Sequence, residues 1–254
     1  MLIKVLGCNG SITGNLRTTC YQVDDDLLID AGTGAGDLSL QQAIATGTVF
    51  LTHAHLDHCC MLPMLADAAG NYRDAPLTVY ALPQTISAIK RNILNGEIWP
   101  DYSALPSPGR PYIHFKPITT GETVELNGRK ITALPTRHAV PCAGYRLDSG
   151  AASLVYSGDT TYCEEFWHSL NRIANLKYLL IENTFLNANV TGAEHSGHMT
   201  ANLLAQGLRL LQCPVELFIV HMEAGHEEEA FREIQSAIPE FKPMLLQRGQ
   251  KFMI

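Results

Sequence analysis

Four side chains of types that bind metal ions fall within six positions near residue 55. They lie in Thr52-His53-Ala54-His55-Leu56-Asp57-His58, which follows an apolar, strand-like stretch. In an extended chain His53 and His55 point the same way and can reach one metal ion. Asp57 and His58 lie where the chain turns into a helix and can reach a second. A solvated polar loop is the alternative, but the apolar residues on both sides of the segment argue against it.

Three more candidate ligands each follow an apolar, strand-like segment further along the chain. They are His138, Asp159 and His221. Ligand sites in α/β sheets gather beyond the carboxyl ends of the strands, and a polar group buried there costs free energy unless it is paired or used. Because a carboxylate has two oxygens, Asp159 can bridge two metal ions. Together with the first four residues, these three predict a dinuclear site for zinc, manganese or iron.

The elements that must position these residues alternate between strands and helices. Periodicity and turn residues predict strands at 3–7, 18–23, 27–31, 48–52, 77–81, 124–126, 130–133, 143–148, 152–157, 178–181, 215–220 and 244–247, and helices at 38–45, 59–69, 84–94, 164–174, 199–211 and 227–237. A long loop at 95–111 contains Trp99 and Tyr102, which would either stack on a substrate or form a dimer contact. Two sheets packed together with helices outside, in a single domain spanning 1–254, are the expected architecture.

Composition limits the classes of function. The net charge of −7 disfavours broad, non-specific binding to nucleic acid. No apolar run is long enough to span a bilayer, and no signal peptide is visible. The seven cysteines contain no Cys-x-x-Cys pair, which is typical of reduced thiols in a cytoplasmic protein. Cys59 and Cys60 follow His58 directly, and we interpret them as small apolar residues of a buried helix rather than ligands.

The order His-x-His-x-Asp-His, then His138, Asp159 and His221, resembles the metallo-β-lactamase fold superfamily over nearly the whole chain. The resemblance implies an α/β fold, a four-layer αβ/βα sandwich. It also implies that His53, His55 and His138 hold one divalent metal ion, that Asp57, His58 and His221 hold the other, and that Asp159 bridges them. Asp30 matches an early aspartate of the superfamily that supports a ligand from behind.

Several segments resemble the class II 3′,5′-cyclic-nucleotide phosphodiesterases more narrowly. These are His-x-His-Leu-Asp-His at 53–58 and the segments at 5–10, 16–19, 30–34, 98–101 and 181–185. The resemblance implies hydrolysis of a small phosphodiester, such as cyclic AMP, to the 5′-monophosphate by a hydroxide bound to two metal ions, with zinc expected first. Asp57 and Asp159 are then catalytic as well as metal-binding. His198, in a Gly-His-x-Thr segment like that of tRNA 3′-processing endonucleases, is the candidate general acid.

Other interpretations share much of this pattern. A tRNA 3′-processing endonuclease would use the same ligands, although the acidic charge makes a nucleic acid partner unexpected. A thioester or lactone hydrolase of the same fold is a second enzymatic alternative. A metal-binding protein without turnover is the non-enzymatic one, although structural zinc sites usually need only four ligands. No membrane partner is expected, and a homodimer is an open alternative to a monomer. His114, His168, His195 and His226 are assigned no chemical role.

Overall fold

Two seven-stranded β-sheets form the centre of the protein in the computed structural model, which describes all residues from 1 to 254. The strands are β1 (Leu2–Gly7), β2 (Cys20–Val23), β3 (Leu27–Ile29), β4 (Thr48–Phe50), β5 (Leu77–Ala81), β6 (Pro106–Ser107), β7 (Arg110–Pro111), β8 (Ile113–Pro117), β9 (Thr123–Leu126), β10 (Arg129–Pro135), β11 (Ala143–Asp148), β12 (Ser153–Tyr156), β13 (Leu176–Glu182), β14 (Glu216–Val220), β15 (Met244–Leu245) and β16 (Lys251–Met253). The first sheet has the order β16-β1-β2-β3-β4-β5-β8 and the second the order β15-β14-β13-β12-β11-β10-β9.

Parallel pairing within both sheets brings several strand ends to common edges. In the first sheet, β3, β4, β5 and β8 are parallel neighbours. In the second sheet, β12, β13, β14 and β15 are parallel neighbours. The carboxyl ends of parallel strands open at one edge, so residues that follow β4, β12 and β14 can meet there.

Eight α-helices accompany the two sheets. They are α1 (Leu40–Ala45), α2 (Leu56–Cys59), α3 (Leu62–Gly70), α4 (Pro83–Asn92), α5 (Glu164–Leu170), α6 (Val190–Ser196), α7 (Ala201–Leu208) and α8 (Glu227–Ala237). The N-terminal sheet packs against α1, α3 and α4, and the C-terminal sheet against α5, α7 and α8. None of the helices combines the length and the apolar character needed to cross a membrane.

A shared apolar core joins the two sheets. Tyr21 of the first sheet meets Tyr156 of the second with ring centroids 4.8 Å apart, and Phe50 meets Tyr145 at 5.4 Å. Such edge-to-face pairs add to the free energy gained from burying the rings. Helix, sheet, sheet and helix follow one another as layers, which confirms the predicted αβ/βα sandwich.

The helix predicted at 59–69 is wrong in its bounds. Two helices replace it, because the chain bends at Cys60 and Met61 and α3 then starts again with Pro63 in its first turn. Proline is tolerated there because the amide at that position has no partner within the helix. The earlier helix, α2, begins at Leu56, so Asp57 and His58 belong to it.

The segment predicted as a loop at 95–111 contains the short hairpin of β6 and β7. Tyr102 is buried, and its hydroxyl donates a hydrogen bond to Asp67 of α3. Trp99 is partly buried against the same apolar cluster. These contacts fix the segment to the N-terminal sheet and leave the Tyr102 ring unavailable for stacking on a substrate.

A substitution at Gly207 tests how closely α5 packs against α7. Alanine in a helix is normally about 1 kcal/mol better than glycine, but a Cβ atom at Gly207 would lie 2.1 Å from Cε2 of the buried Trp167. We expect Gly207→Ala to lower the free energy of unfolding by about 1–3 kcal/mol, because the indole must shift in a filled core.

Gly192→Ala in α6 is the matched control for this prediction. There the new methyl group would meet the side-chain oxygen of Asn189 at 3.1 Å, and that side chain can move. Chemical denaturation of the two variants measures the difference. Equal stability of Gly207→Ala and the wild type would contradict the packing described here.

Candidate metal centre

All seven predicted ligands converge at the edge where the strand ends of the two sheets meet. They form two groups that share Asp159, and the ligand atoms within each group lie within 4.8 Å of one another. We call His53, His55, His138 and Asp159 the first group, and Asp57, His58, His221 and Asp159 the second group. The two groups have the membership that the sequence resemblance implied.

Asp159 turns one oxygen toward each group. Its Oδ2 lies 3.5 Å from Nε2 of His53 and 3.8 Å from Nε2 of His138. Its Oδ1 lies 3.3 Å from Nε2 of His58 and 3.4 Å from Nε2 of His221. The carboxylate is 1% exposed, so water cannot replace these neighbours. This is the arrangement of a carboxylate that bridges two cations.

Ring nitrogens approach one another closely within each group. In the first group, Nε2 of His138 lies 3.2 Å from Nδ1 of His55. In the second group, Nε2 of His58 lies 3.2 Å from Nε2 of His221, and the Asp57 carboxylate is 3.0 Å from that same His221 atom. Two lone pairs at this separation repel each other unless a proton or a cation lies between them. Both groups are therefore concentrated electron-pair donors.

The far side of most rings is held by a second hydrogen-bond partner. Nδ1 of His58 donates to Oδ2 of Asp30 at 2.7 Å, and Nδ1 of His138 donates to the carbonyl oxygen of Gly197 at 3.0 Å. His221 meets the Thr184 hydroxyl at 3.1 Å. Partners of this kind fix the tautomer, so that Nε2 keeps its lone pair for the centre. Asp30 thus lies where the sequence resemblance implied.

The backbone conformation sets the direction in which the Asp30 and His221 side chains point. Asp30 and His221 have φ values of 58° and 60°, a left-handed conformation that costs free energy in residues other than glycine. Asp30 is anchored in it by the Thr52 amide, which donates to Oδ1 at 2.8 Å. At Gly10, a Cβ atom would lie 2.9 Å from Nδ1 of His221. That glycine therefore leaves the space that the imidazole fills.

The pKa values of the candidate ligands favour the protonation states that bind cations. Burial lowers the pKa values of His53, His55 and His138, which keeps these rings neutral with a lone pair available. Burial acts in the opposite direction on Asp159, but the neighbouring His221 and His58 rings outweigh it and hold the pKa of this carboxyl well below its usual range. Neutral imidazoles with an ionised carboxylate are the ligand forms that divalent metal ions bind.

Two unsatisfied atoms show that the residues fit such ions. Nε2 of His53 and Oδ1 of Asp159 are buried and have no hydrogen-bond partner, although buried polar atoms are normally paired. Both belong to the two groups, and imidazole and carboxylate together suit zinc, manganese or iron. The donor set can therefore hold divalent metal ions.

His198 lies beside both groups. Its ring centroid is 4.8 Å from that of His138 and 5.5 Å from that of His221. Nδ1 donates to Oε1 of Glu182 at 2.8 Å. Burial by itself would lower the pKa of His198, but the Glu182 carboxylate outweighs it and raises the pKa to about 9.

Glu182 and Thr184 were not singled out by the sequence reasoning. Glu182 is fully buried and also accepts hydrogen bonds from the amides of Thr160, Thr184 and Met199. Thr184 bridges toward both His198 and His221. One sequence feature could have pointed to Glu182: it ends the apolar strand β13, and the candidate metal ligands follow neighbouring strands at the same edge of the sheet.

The remaining histidines and cysteines stay outside the two groups. His114, His168, His195 and His226 are surface residues, and His168 pairs only with Glu164 of its own helix at 3.7 Å. Cys59 and Cys60 contribute no atom to either group. Sulfur does approach the site once, because Sγ of Cys142 lies 3.7 Å from Nδ1 of His53.

Comparisons with known proteins agree with this geometry. The family model described as "Beta-lactamase superfamily domain" matches residues 26–222. A ribonuclease Z of Mycobacterium bovis is 30% identical over 165 residues, which cover 58% of this chain and 55% of that protein. The chain thus spans about half the length of the curated relatives it matches.

Solved structures share the fold over their full length. Yeast PDE1 superimposes with a TM-score of 0.81 at 16% identity, with 100% of this chain and 99% of that chain covered. The metallo-β-lactamase fold protein YhfI from Bacillus subtilis has a TM-score of 0.76 at 20% identity, with 99% of both chains covered. At these identities the superpositions establish the fold alone.

The number of metal ions bound per chain tests whether Asp159 is a ligand shared by both groups. We expect about two divalent ions per chain in protein purified with metal, and less than about one in Asp159→Asn, because the amide removes a charged donor from both groups. His55→Ala should keep about one ion, since the second group is intact. Elemental analysis of the purified proteins gives the ratio. Two ions retained in Asp159→Asn would rule out a shared ligand.

Proposed function

The chain belongs to the metallo-β-lactamase fold superfamily, and we propose that it is a dinuclear metal-dependent phosphodiesterase that hydrolyses a small phosphodiester, with cyclic AMP the first candidate. The observation that carries the proposal is the buried Asp159 carboxylate with one oxygen facing each of two three-residue ligand sets. A structural metal site usually closes around one ion with four ligands. Two open, adjacent sets are instead typical of phosphoryl-transfer centres.

In this proposal His53, His55 and His138 hold one divalent ion, Asp57, His58 and His221 hold the other, and Asp159 holds both. When bound, such ions activate water and neutralise charge that develops on the phosphoryl oxygens. The protein contributes the positions of the donors, which the contacts of Asp30, Thr52 and Thr184 fix from behind. Zinc is the ion to test first, with manganese and iron next.

His198 supplies a proton to the leaving oxygen in the proposed reaction. Nδ1 is engaged by Glu182, so the proton available for transfer is the one on Nε2. The ring lies beside His138 of the first group and His221 of the second, so its Nε2 could donate a proton to the leaving oxygen of a phosphodiester bound at the two groups. For a 3′,5′-cyclic nucleotide that oxygen is the 3′-oxygen, and the product is the 5′-monophosphate.

A groove beside His138 has the size and the polar groups that a small substrate would need. It encloses about 620 Å³ and is lined by Gln84, Thr119, Thr136 and Arg137 among others. That volume is within the range of small-molecule sites. Arg137 is exposed, and its guanidinium is of the type that pairs with phosphate oxygens. Hydroxyl and amide groups on the other walls can bond to a ribose or a base.

Cleavage of a tRNA precursor is the second candidate. The observation that favours it is the identity with ribonuclease Z of M. bovis, together with the Gly197-His198-Met199-Thr200 segment. The net charge of −7 opposes it, because a long polyanion is repelled by most of the surface. Metal chemistry would be common to both activities.

Replacement of His198 tests the proton donor. We expect His198→Ala to lower kcat on a cyclic nucleotide by about 10²–10⁴-fold while metal content stays at the wild-type value, because His198 is not a ligand. His195→Ala is the matched control: this histidine lies three residues earlier and is exposed, and its loss should leave kcat unchanged. Loss of metal from His198→Ala, or an equal effect of both variants, would contradict the assignment.

A substrate panel separates the candidate functions. With zinc or manganese bound, we expect turnover of bis(p-nitrophenyl) phosphate and of cyclic AMP to 5′-AMP, and no cleavage of a tRNA precursor. Cleavage of the precursor without turnover of cyclic AMP would replace the first candidate by the second. Turnover of only thioesters or lactones would remove phosphodiesters from the proposal. No turnover with any metal would indicate a binding protein.

A further inference from the structure

Arg73 is a buried cation that the metal centre does not use. It is 8% exposed, and its Nη1 has no hydrogen-bond partner. Nε donates to the carbonyl oxygen of Ile44 at 3.3 Å and Nη2 donates to that of Ala43, both at the end of α1. Burial lowers the pKa of Arg73 to about 10, which leaves the guanidinium charged near neutral pH.

No carboxylate compensates this charge. Arg73 takes part in no ion pair in the structure, and the carbonyls of α1 supply only partial negative charge. A buried ion without a counter-charge destabilises the fold. In contrast, the other well-buried arginine, Arg129, pairs with both Asp24 and Asp26. Arg73 therefore lacks the carboxylate partners that Arg129 has.

A partly open pocket of about 100 Å³ is lined by Arg73. Its walls include a second arginine, Arg110 of β7, together with Asn71 and Tyr112. The Arg110 side chain reaches toward Arg73, because its Nη2 donates to the Arg73 carbonyl oxygen at 3.1 Å, and Arg110 also forms no ion pair. The Tyr112 hydroxyl donates to Oδ1 of Asn71 at 2.7 Å, which leaves the Asn71 amide hydrogens free to donate. No acidic side chain lines the pocket.

We propose that this pocket binds a small tetrahedral oxyanion of the phosphate type, held directly by Arg110 and Asn71 and attracted by the charge of Arg73 beneath them. Guanidinium groups bind phosphate oxygens through paired, charge-assisted hydrogen bonds. The space holds a few water molecules or one such anion, and is too small for a whole nucleotide. The bound anion supplies the counter-charge that Arg73 lacks.

The pocket is distinct from the metal centre. Ala75 and Pro76 of its wall precede β5, whereas the ligand His53 follows the parallel neighbour β4. The two sites therefore lie at opposite ends of the same pair of strands. An anion here would join the β6–β7 hairpin to the ends of α1 and α3, so it would stabilise the 95–111 segment rather than take part in hydrolysis.

Titration of metal-loaded protein with inorganic phosphate, in a chloride buffer of constant ionic strength, tests the proposal. By calorimetry we expect wild-type protein to show a binding event that is at least about tenfold weaker in Arg110→Gln, in addition to any event at the metal centre that both proteins share. Hydrolytic activity of Arg110→Gln should equal that of the wild type. Arg110 is the residue to change because Arg73 also bonds two carbonyls of α1, and its loss would disturb the fold.

Arg172→Gln is the matched control, since Arg172 is exposed, forms no ion pair and lies outside the pocket. The substitution removes the same charge, and the variant should bind phosphate with the affinity of the wild type. Identical isotherms for wild type and Arg110→Gln would overturn the proposal. Equal weakening in both variants would also overturn it, because the effect would then come from net charge alone.

Discussion

The structure depends on one buried carboxylate. Asp159 is 1% exposed and has imidazole nitrogens near both of its oxygens, and burial keeps the rings of His53 and His138 neutral. An ionised carboxylate in such surroundings costs several kcal/mol unless cations compensate it. The rings of His58 and His138 are also held in place, because their Nδ1 atoms donate hydrogen bonds to the Asp30 carboxylate and to the Gly197 carbonyl oxygen. Charge and rigidity together make the centre a place for metal ions.

The two sheets are what bring that carboxylate to its neighbours. Asp159 follows β12, Glu182 ends β13 and His221 follows β14, and these three strands are parallel, so their residues appear side by side at one edge. The N-terminal sheet adds His53 after β4 from across the shared core. The packing of this shared core, which includes Tyr21 on Tyr156, holds the two halves of the centre at their distance.

Much of this arrangement was predictable from sequence, and the failures have physical causes. The candidate ligands can be identified from sequence because His53, His55, Asp57 and His58 lie together and the others follow apolar strands, which are local patterns. Glu182 is harder to identify, because its role comes from contacts with residues up to 25 positions away, which its place at the end of the apolar strand β13 does not reveal. The break between α2 and α3 was missed because the apolar period runs through Cys60 and Met61 without interruption. A Pro-rich loop looks exposed, so the sequence predicts either a substrate contact or a dimer contact for Tyr102, whereas its ring is buried in the core.

The most direct test of the central claim is anomalous X-ray diffraction from crystals of the metal-loaded protein, measured at the absorption edge of the bound metal. We expect two peaks about 3.5–4 Å apart, one between His53, His55 and His138, the other between Asp57, His58 and His221, with one oxygen of Asp159 toward each. A single peak, or peaks to which Asp159 does not contribute both oxygens, would contradict it.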